Sequence, residues 1–292
     1  MNKPKQIKKP HNLRETAMRY VFLLTALVSI ASVVLICLFL FANGVPAIRE
    51  VGLFKFLFGT TWKPGNNLFG IFPFIVGSVY VTAGALVIGV PIGILTAAFM
   101  AKFCPKWLYK IMKPAVNLMA GIPSVIYGFF ALVVLVPFVR DYIGGRGMSV
   151  LTASILLGVM ILPTIINTSE AALRAVPESY YEGSLALGAS HERSVFKTMI
   201  PAAKSGILSG VILGVGRAVG ETMAVAMVAG NQPIIPDSIL QGCRTLTTAI
   251  VLELGYSTDL HREVLIATGV VLFVFILLIN LCFSLVTKGD KE

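Results

Sequence analysis

Apolar residues run along this chain in long unbroken blocks, with no sign of strand-like alternation. Residues 20–48 contain no Lys, Arg, Asp or Glu, and neither do 64–101, 114–139, 147–169 and 264–287. A sixth apolar block, about 205–229, is interrupted only by Arg217 and Glu221. A bilayer core of about 30 Å is crossed by roughly 20 apolar residues at the helical rise of 1.5 Å. The blocks therefore predict six transmembrane helices, near 20–42, 72–100, 115–139, 149–168, 205–229 and 264–286. The longest connections, about 43–71, 169–204 and 230–263, leave no room for a large extramembrane domain. The expected fold class is an all-α polytopic membrane protein. One membrane domain covers 20–286, a basic tail covers 1–19, and a second tail covers 287–292.

Composition supports this reading. Hydrophobic residues make up 56% of the 292 residues and charged residues 13%, whereas soluble domains average about 25% charged. So little charge cannot coat a water-soluble globule, and disordered chains are polar and charge-rich. The basic residues are distributed unequally between alternate connections. One side carries Lys3, Lys5, Lys8, Lys9, Arg14, Arg19, Lys102, Lys106, Lys110, Lys113, Arg174, Arg193, Lys197, Lys204, Lys288 and Lys291. The other carries only Arg49, Lys55, Lys63, Arg140, Arg146, Arg244 and Arg262. The positive-inside bias then places both termini in the cytoplasm. The net charge of +10 is mostly this topology signal, and no nucleic-acid module accompanies it. The first apolar block exceeds the roughly 7–15 residues of a signal-peptide core, so it reads as an uncleaved helix. Cys37, Cys104, Cys243 and Cys282 are placed so that no two face an oxidising compartment together, and no intrachain disulfide is expected.

Several chemistries are missing. The chain has no G-x-x-x-x-G-K-[ST] phosphate loop, no G-x-S-x-G elbow and no H-E-x-x-H pair. His11, His191 and His261 are too dispersed to hold a metal. No cofactor, metal or catalytic residue is expected. Glu221 is the one carboxylate placed within a span, and a proton-driven carrier usually needs more.

The connection 169–204 predicts a helical elbow. Ser179-Tyr180-Tyr181-Glu182 fits a capping box, Gly188 suits a left-handed C-terminal position, Ser190 can cap a second short helix, and Pro201 blocks its propagation. In the fifth block, Gly206, Gly210 and Gly214 recur every four residues, a spacing that lets helix backbones approach closely in lipid. At 100° per residue, Arg217 falls about 20° and Glu221 about 60° from Gly206, so the charges share that stripe. Two readings stand side by side. Arg217 and Glu221 neutralise one another and lock the helix to a neighbour, or Arg217 offers positive potential to a passing anion while Glu221 holds and tempers it. In the elbow, likewise, Glu182 serves its own helix, a partner, or both.

The run Glu182-Gly-Ser-Leu-Ala-Leu-Gly188, followed by Thr198-Met-Ile-Pro201, resembles the "EAA" loop of type I ABC importer permeases. Glu182, Gly188 and Pro201 match its spacing, while Gly183 and Ser184 replace its two alanines. Gly214-Val-Gly-Arg217-Ala-Val-Gly-Glu221-Thr-Met-Ala-Val225 closely resembles the C-type (PstC) permeases of phosphate-specific ABC importers, more than their A-type paralogues. Ala120-Gly-Ile-Pro123-Ser-Val-Ile-Tyr127-Gly-Phe-Phe130, Trp62-Lys-Pro64, Phe69-Gly-Ile-Phe-Pro73 and Arg244-Thr-Leu-Thr agree. The resemblance implies a non-catalytic subunit forming half of the path of an ATP-driven phosphate importer. It further implies a second permease subunit, an ATPase dimer docked at Glu182, Gly188 and Pro201, and an extracytoplasmic phosphate-binding protein. It makes Arg217 and Glu221 substrate-path residues. The alternatives are a permease for another oxyanion (sulfate, molybdate or phosphonate), an ion-coupled secondary carrier, or a non-transporting scaffold. Leu246 to Leu254 is too short to span and is expected as an interfacial or re-entrant helix or as packed loop.

Overall fold

The computed structural model describes residues 13–288. Residues 1–12 of the basic tail, with Lys3, Lys5, Lys8, Lys9 and His11, and 289–292 with Lys291, lie outside the described residues. Helix α1 spans Leu13–Val51, nine residues beyond its predicted end, and is followed by the short α2 at Leu53–Phe58. Strands β1 (Trp62–Lys63) and β2 (Leu68–Phe69) form a small antiparallel hairpin that pairs Trp62 with Phe69. Then come α3 (Phe72–Ala98, continued by one wide turn to Phe103), α4 (Lys106–Gly121) and α5 (Ser124–Phe130, helical on to Ile143). Helix α6 is Val150–Ala175 and α7 is Glu178–Ala186. Helix α8 (His191–Ser194) is helical on to Ala202. The chain ends with α9 (Lys204–Gly220), α10 (Met223–Val228), α11 (Leu246–Leu254) and α12 (Asp259–Lys288). Among the described residues five helices are long and apolar enough to cross a membrane, and the pair His191–Ala202 and Lys204–Gly220, bent by 72°, makes a sixth if counted as one span.

Two predicted spans are corrected. The third, expected as one helix over 115–139, is split between α4 and α5. Pro123 holds the residue before it out of the helical region, and Ile122 is extended with ψ 127°. The fifth, expected over 205–229, stops at Gly220 because Glu221 is extended (φ −69°, ψ 129°), and α10 restarts the helix after Thr222. The fourth runs seven residues past its predicted end at 168, to Ala175.

The bundle is centred on α6, whose Leu156, Leu157, Met160, Ile161 and Ile165 are buried against α3 and α9. Backbone proximity at α6 explains the glycine stripe. A Cβ at Gly206 would lie 2.4 Å from the Ala172 methyl, and one at Gly210 would lie 3.0 Å from Thr168 Cβ. Helix α1 packs only its far end against α12, with Phe41 edge-on to Phe273 at 6.0 Å. Elsewhere it exposes Phe22, Leu24, Ile30 and Leu38 on several faces, which water would penalise and lipid does not. A second core (Ala47, Phe56, Trp62, Phe74, Leu246, Leu265) closes the end opposite the termini, here the distal end. A third (Ala97, Leu173, Val195, Met199, Ile207) lies at the terminal end, beneath the elbow.

Candidate functional site

The site is built where the two interrupted spans meet. In α4 the carbonyl of Met119 would normally bond the N–H four residues on, but that residue is Pro123, which has none. The Tyr127 hydroxyl, one turn into α5, donates to it at 3.0 Å. Gly128 then lets α5 cross α10 in backbone contact, since a Cβ there would sit 2.9 Å from Ala224 Cα and 2.8 Å from Met227 Sδ. The break at 122–123 is thereby brought beside the break at 221–222.

Glu221 caps the second break. Its Oε1 accepts from the backbone N–H groups of Thr222 and Ala224, both at 3.2 Å, satisfying two orphan donors at the start of α10. Its own carbonyl accepts from Thr247 Oγ1 at 3.1 Å. Arg217, in the last turn of α9, is half-buried. Among the described residues no carboxylate stands within ion-pair distance of it. The mutual neutralisation of Arg217 and Glu221 is therefore not formed, because the carboxylate turns to the backbone of α10 where the helix stops. A cavity beside Glu221, walled by Ser78, Thr82 and Thr245, holds about 10 Å³, room for about one water and far too little for a tetrahedral oxyanion.

The elbow at the terminal end differs in detail from its prediction. Helix α7 begins at Glu178 with Pro177 as its N-cap and no side-chain cap, so the capping box at Ser179 does not form. Pro177 sets the entry, and Glu182 is left exposed one turn further on. Gly188 takes the left-handed conformation (φ 84°). The N–H of Gly188 bonds Leu185 O at 2.9 Å, and that of Ala189 bonds Ser184 O at 3.2 Å, the double bond of a Schellman end. The Ser190 hydroxyl accepts from Arg193 N at 3.3 Å, and Pro201 lies in the last turn before the 72° bend. Lys102 ties the elbow to α3, pairing with Glu178 at 2.7 Å and lying 4.8 Å over the Tyr181 ring. Tyr181 bonds His191, whose ring meets Phe103 edge-on at 4.3 Å.

Sequence reasoning missed two carboxylates. Glu170, only 2% exposed on α6, accepts from Tyr109 Oη, Lys113 Nζ and Arg174 Nε, each at 2.8 Å. It was lost because the fourth span was ended two residues short of it. Arg174 at i+4 and the apolar Leu173 were the available signal that the helix continues. Glu253, 5% exposed on α11, accepts from Trp62 Nε1 at 3.0 Å, His261 Nε2 at 2.9 Å and Arg244 Nη1. Trp62 is distant in sequence, and Arg244 and His261 lie outside α11 on either side of it, so no helical spacing announces them. Cys243 is completely buried in the core centred on α6, and burial pushes its thiol up to about 12. Burial and the neighbouring Glu253 carboxylate push the Tyr256 phenol upward as well.

A helical bundle with two apposed broken spans, an unpaired guanidinium between them and an exposed elbow at one end defines a subunit of a multi-pass membrane transporter. The chain belongs to the family described as "Binding-protein-dependent transport system inner membrane component", whose family model matches residues 89–289. It is 40% identical to the Bacillus subtilis "Probable ABC transporter permease protein YqgH", over 92% of this chain and 90% of that protein. It is 32% identical to the "Phosphate transport system permease protein PstC" of Xylella fastidiosa, over 99% of this chain and 98% of that one. Among solved structures, a bacterial ABC transporter involved in the import of alginate aligns with a TM-score of 0.61 at 16% identity, over 95% of this chain and 99% of its own. The MetNI methionine ABC transporter aligns at 0.57 and 23% identity, over 78% of this chain and 99% of its own. The fold is that of the ABC importer permeases.

Proposed function

We propose that this chain is a permease subunit of an ATP-driven importer of inorganic phosphate and forms half of its transmembrane path. The observation that carries the reading is Arg217, half-buried and without a carboxylate partner among the described residues, in the last turn before the break at 221–222. Relatives that cover nearly the whole chain bear the name of phosphate transport permeases, which supports phosphate as the anion. A central Arg costs about 2.5–3.5 kcal/mol to insert, and a site that keeps one unpaired gains the potential to attract an anion. Glu221, by holding the α10 terminus, keeps Arg217 free and fixes the geometry of the break.

Phosphate carries about one to two negative charges near neutral pH. Moving it against an inside-negative potential costs about 2.3 kcal/mol per charge per 100 mV, so uptake needs an energy source that this chain does not contain. A second permease would complete the path, and an ATPase dimer would dock on the elbow around Glu182, Gly188 and Pro201. An extracytoplasmic phosphate-binding protein would deliver the anion to the distal cap. Both termini would face the cytoplasm. The apolar core beneath α8 and the Lys102–Glu178 pair would carry elbow motion into α3 and α9. The test is uptake by the reconstituted complex of phosphate against sulfate, molybdate and phosphonate. Phosphate-selective, ATP-dependent uptake is expected. Preference for another oxyanion reassigns the substrate, and uptake without a co-purifying ATPase refutes the ATP-driven mechanism.

A further inference from the structure

The distal face carries a second basic site, apart from Arg217. The loop after α5 and the strap 229–245 between α10 and α11 meet there over the start of α6. The N–H groups of Val150 and Leu151 bond the carbonyls of Gln241 and Ile239 at 3.0 and 2.8 Å, which fixes the strap on the positive end of α6. Arg146 lies between Gly145 (φ 76°) and Gly147 (φ 80°), both left-handed. A Cβ at Gly145 would lie 3.0 Å from the Leu240 carbonyl oxygen, and one at Gly147 would strike that of Val136. The backbone on either side of Arg146 is thus held against its neighbours. Between loop and strap lies an open cavity of about 370 Å³, walled by Arg146, Gln232, Ser238 and Gln241 with the backbone of Gly145 and Gly242. Its polar groups are donors. Arg146 has five N–H groups and no acceptor, and among the described residues no carboxylate stands within ion-pair distance of it. Asp141, the nearest acid in sequence, pairs with Arg140 at 2.8 Å. Gln241 Oε1 accepts from Asp237 N at 2.8 Å, which leaves the amide N–H groups to donate. Ser238 Oγ accepts from Leu240 N at 3.3 Å, which leaves its O–H. Gln232 lays its carboxamide on Gly242, where a Cβ would lie 3.3 Å from Cδ. No carboxylate is among the walls.

We propose that this cavity is a binding site for a tetrahedral oxyanion at the distal mouth of the path, with Arg146 as its cationic anchor. The proposal rests on the phosphate-importer reading for its cargo, and not on the role of Arg217. The planar guanidinium gives paired N–H donors to two oxygens. Gln232, Gln241 and Ser238 supply the remaining oxygens with neutral donors, directly or through water. The volume admits such an anion with part of its hydration shell, which the space beside Glu221 does not. A cationic cleft raises the local concentration of an anion at its mouth, and a cavity open to water holds it weakly enough to pass it on. An anion set free at the distal end meets Arg146, in a loop, before Arg217, inside a helix.

The experiment uses the purified complex in nanodiscs without binding protein. Cys37, Cys104 and Cys282 are replaced by Ser, and a nitroxide is attached at Ile239→Cys, an exposed position on the strap beside the cavity. Paramagnetic broadening of the phosphorus resonance of inorganic phosphate falls steeply with distance, so it reports binding at the strap. The parent should show saturable broadening that sulfate displaces at constant ionic strength. Arg146→Gln should weaken the apparent affinity by about tenfold or more. Arg146→Lys, which keeps the charge and loses the paired donors, should fall between the two. Should the Gln variant fail to assemble, Gln232→Glu, which sets a carboxylate in the cavity, carries the measurement and should abolish the broadening. Absence of saturable broadening in the parent, or a change below about threefold in the assembled Gln variant, overturns the site. Weaker recovery of the binding protein by Arg146→Gln, with phosphate broadening unchanged, assigns the cavity to an acidic side chain of that protein and overturns it equally. A parent that takes up phosphate in proteoliposomes without local broadening refutes this site alone. A parent that broadens phosphate here yet takes up none keeps the site and refutes the phosphate reading.

Discussion

Arg217 and Glu221 show how one backbone break separates two charges that helical spacing would have joined. At i, i+4 on a continuous helix they would face each other, but α9 ends between them and the carboxylate goes to the N–H groups of Thr222 and Ala224. Arg217→Gln should therefore abolish phosphate uptake while leaving the complex assembled, because no ion pair is lost with the charge. Uptake at the parent rate in that variant would remove Arg217 from the path. Cys243 gives a residue-level check of the core centred on α6. Its thiol is buried and pushed up to about 12, so it should resist maleimide at pH 8 in the folded protein and react after denaturation. The sign of the linkage is definite. The folded state favours the protonated thiol, so this contribution is fully present below the ordinary thiol range near 8.5 and is lost as pH rises toward 12. Rapid labelling of folded protein at pH 8 would show that this core opens.

At the scale of elements, the close packing of α9 on α6 is the contact most sensitive to a single side chain. A Cβ at Gly206 would meet the Ala172 methyl at 2.4 Å, so Gly206→Val must push the helices apart. The expected cost is about 1–3 kcal/mol, read as a lower unfolding temperature in detergent, and an unchanged temperature would mean that the helices separate freely. The elbow makes a cleaner test of docking than its sequence promised. Because Pro177 starts α7 and Glu182 caps nothing, Glu182→Lys changes an exposed charge and leaves the fold alone. It should weaken co-purification of the ATPase several-fold at unchanged thermal stability. Equal recovery of the ATPase would exclude Glu182 from the contact.

For the whole molecule, the arrangement is a bundle with one face unfinished. Helix α1 touches its own chain mainly at its distal end and leaves Phe22, Leu24, Ile30 and Leu38 exposed along its length. Orientation can be read directly. Tyr142 and Leu187 are 80% and 91% exposed at opposite ends of the bundle. A membrane-impermeant maleimide should label Tyr142→Cys in intact cells and Leu187→Cys only in inverted vesicles. The reverse pattern would invert the topology and place the elbow outside.

The chain's apolar blocks determined by themselves that it is a helical membrane protein with about six crossings, because span length and hydropathy are local properties set by bilayer thickness. Gly188 and Ser190 were legible for the same reason: a left-handed turn and an N-cap depend on neighbours within a few residues. The glycine stripe of α9 announced a close approach, although not its partner on α6. Tertiary structure decided the rest. Glu253 draws Trp62, Arg244 and His261 from three separate segments, and Glu170 binds a tyrosine and a lysine from α4. Whether Glu221 would meet Arg217 or the next helix depended on where α9 ended, and the partner of Tyr127 depended on the carbonyl that Pro123 had orphaned. A side chain's partner is fixed by the path of the backbone around it, and that path emerges only when distant segments pack together.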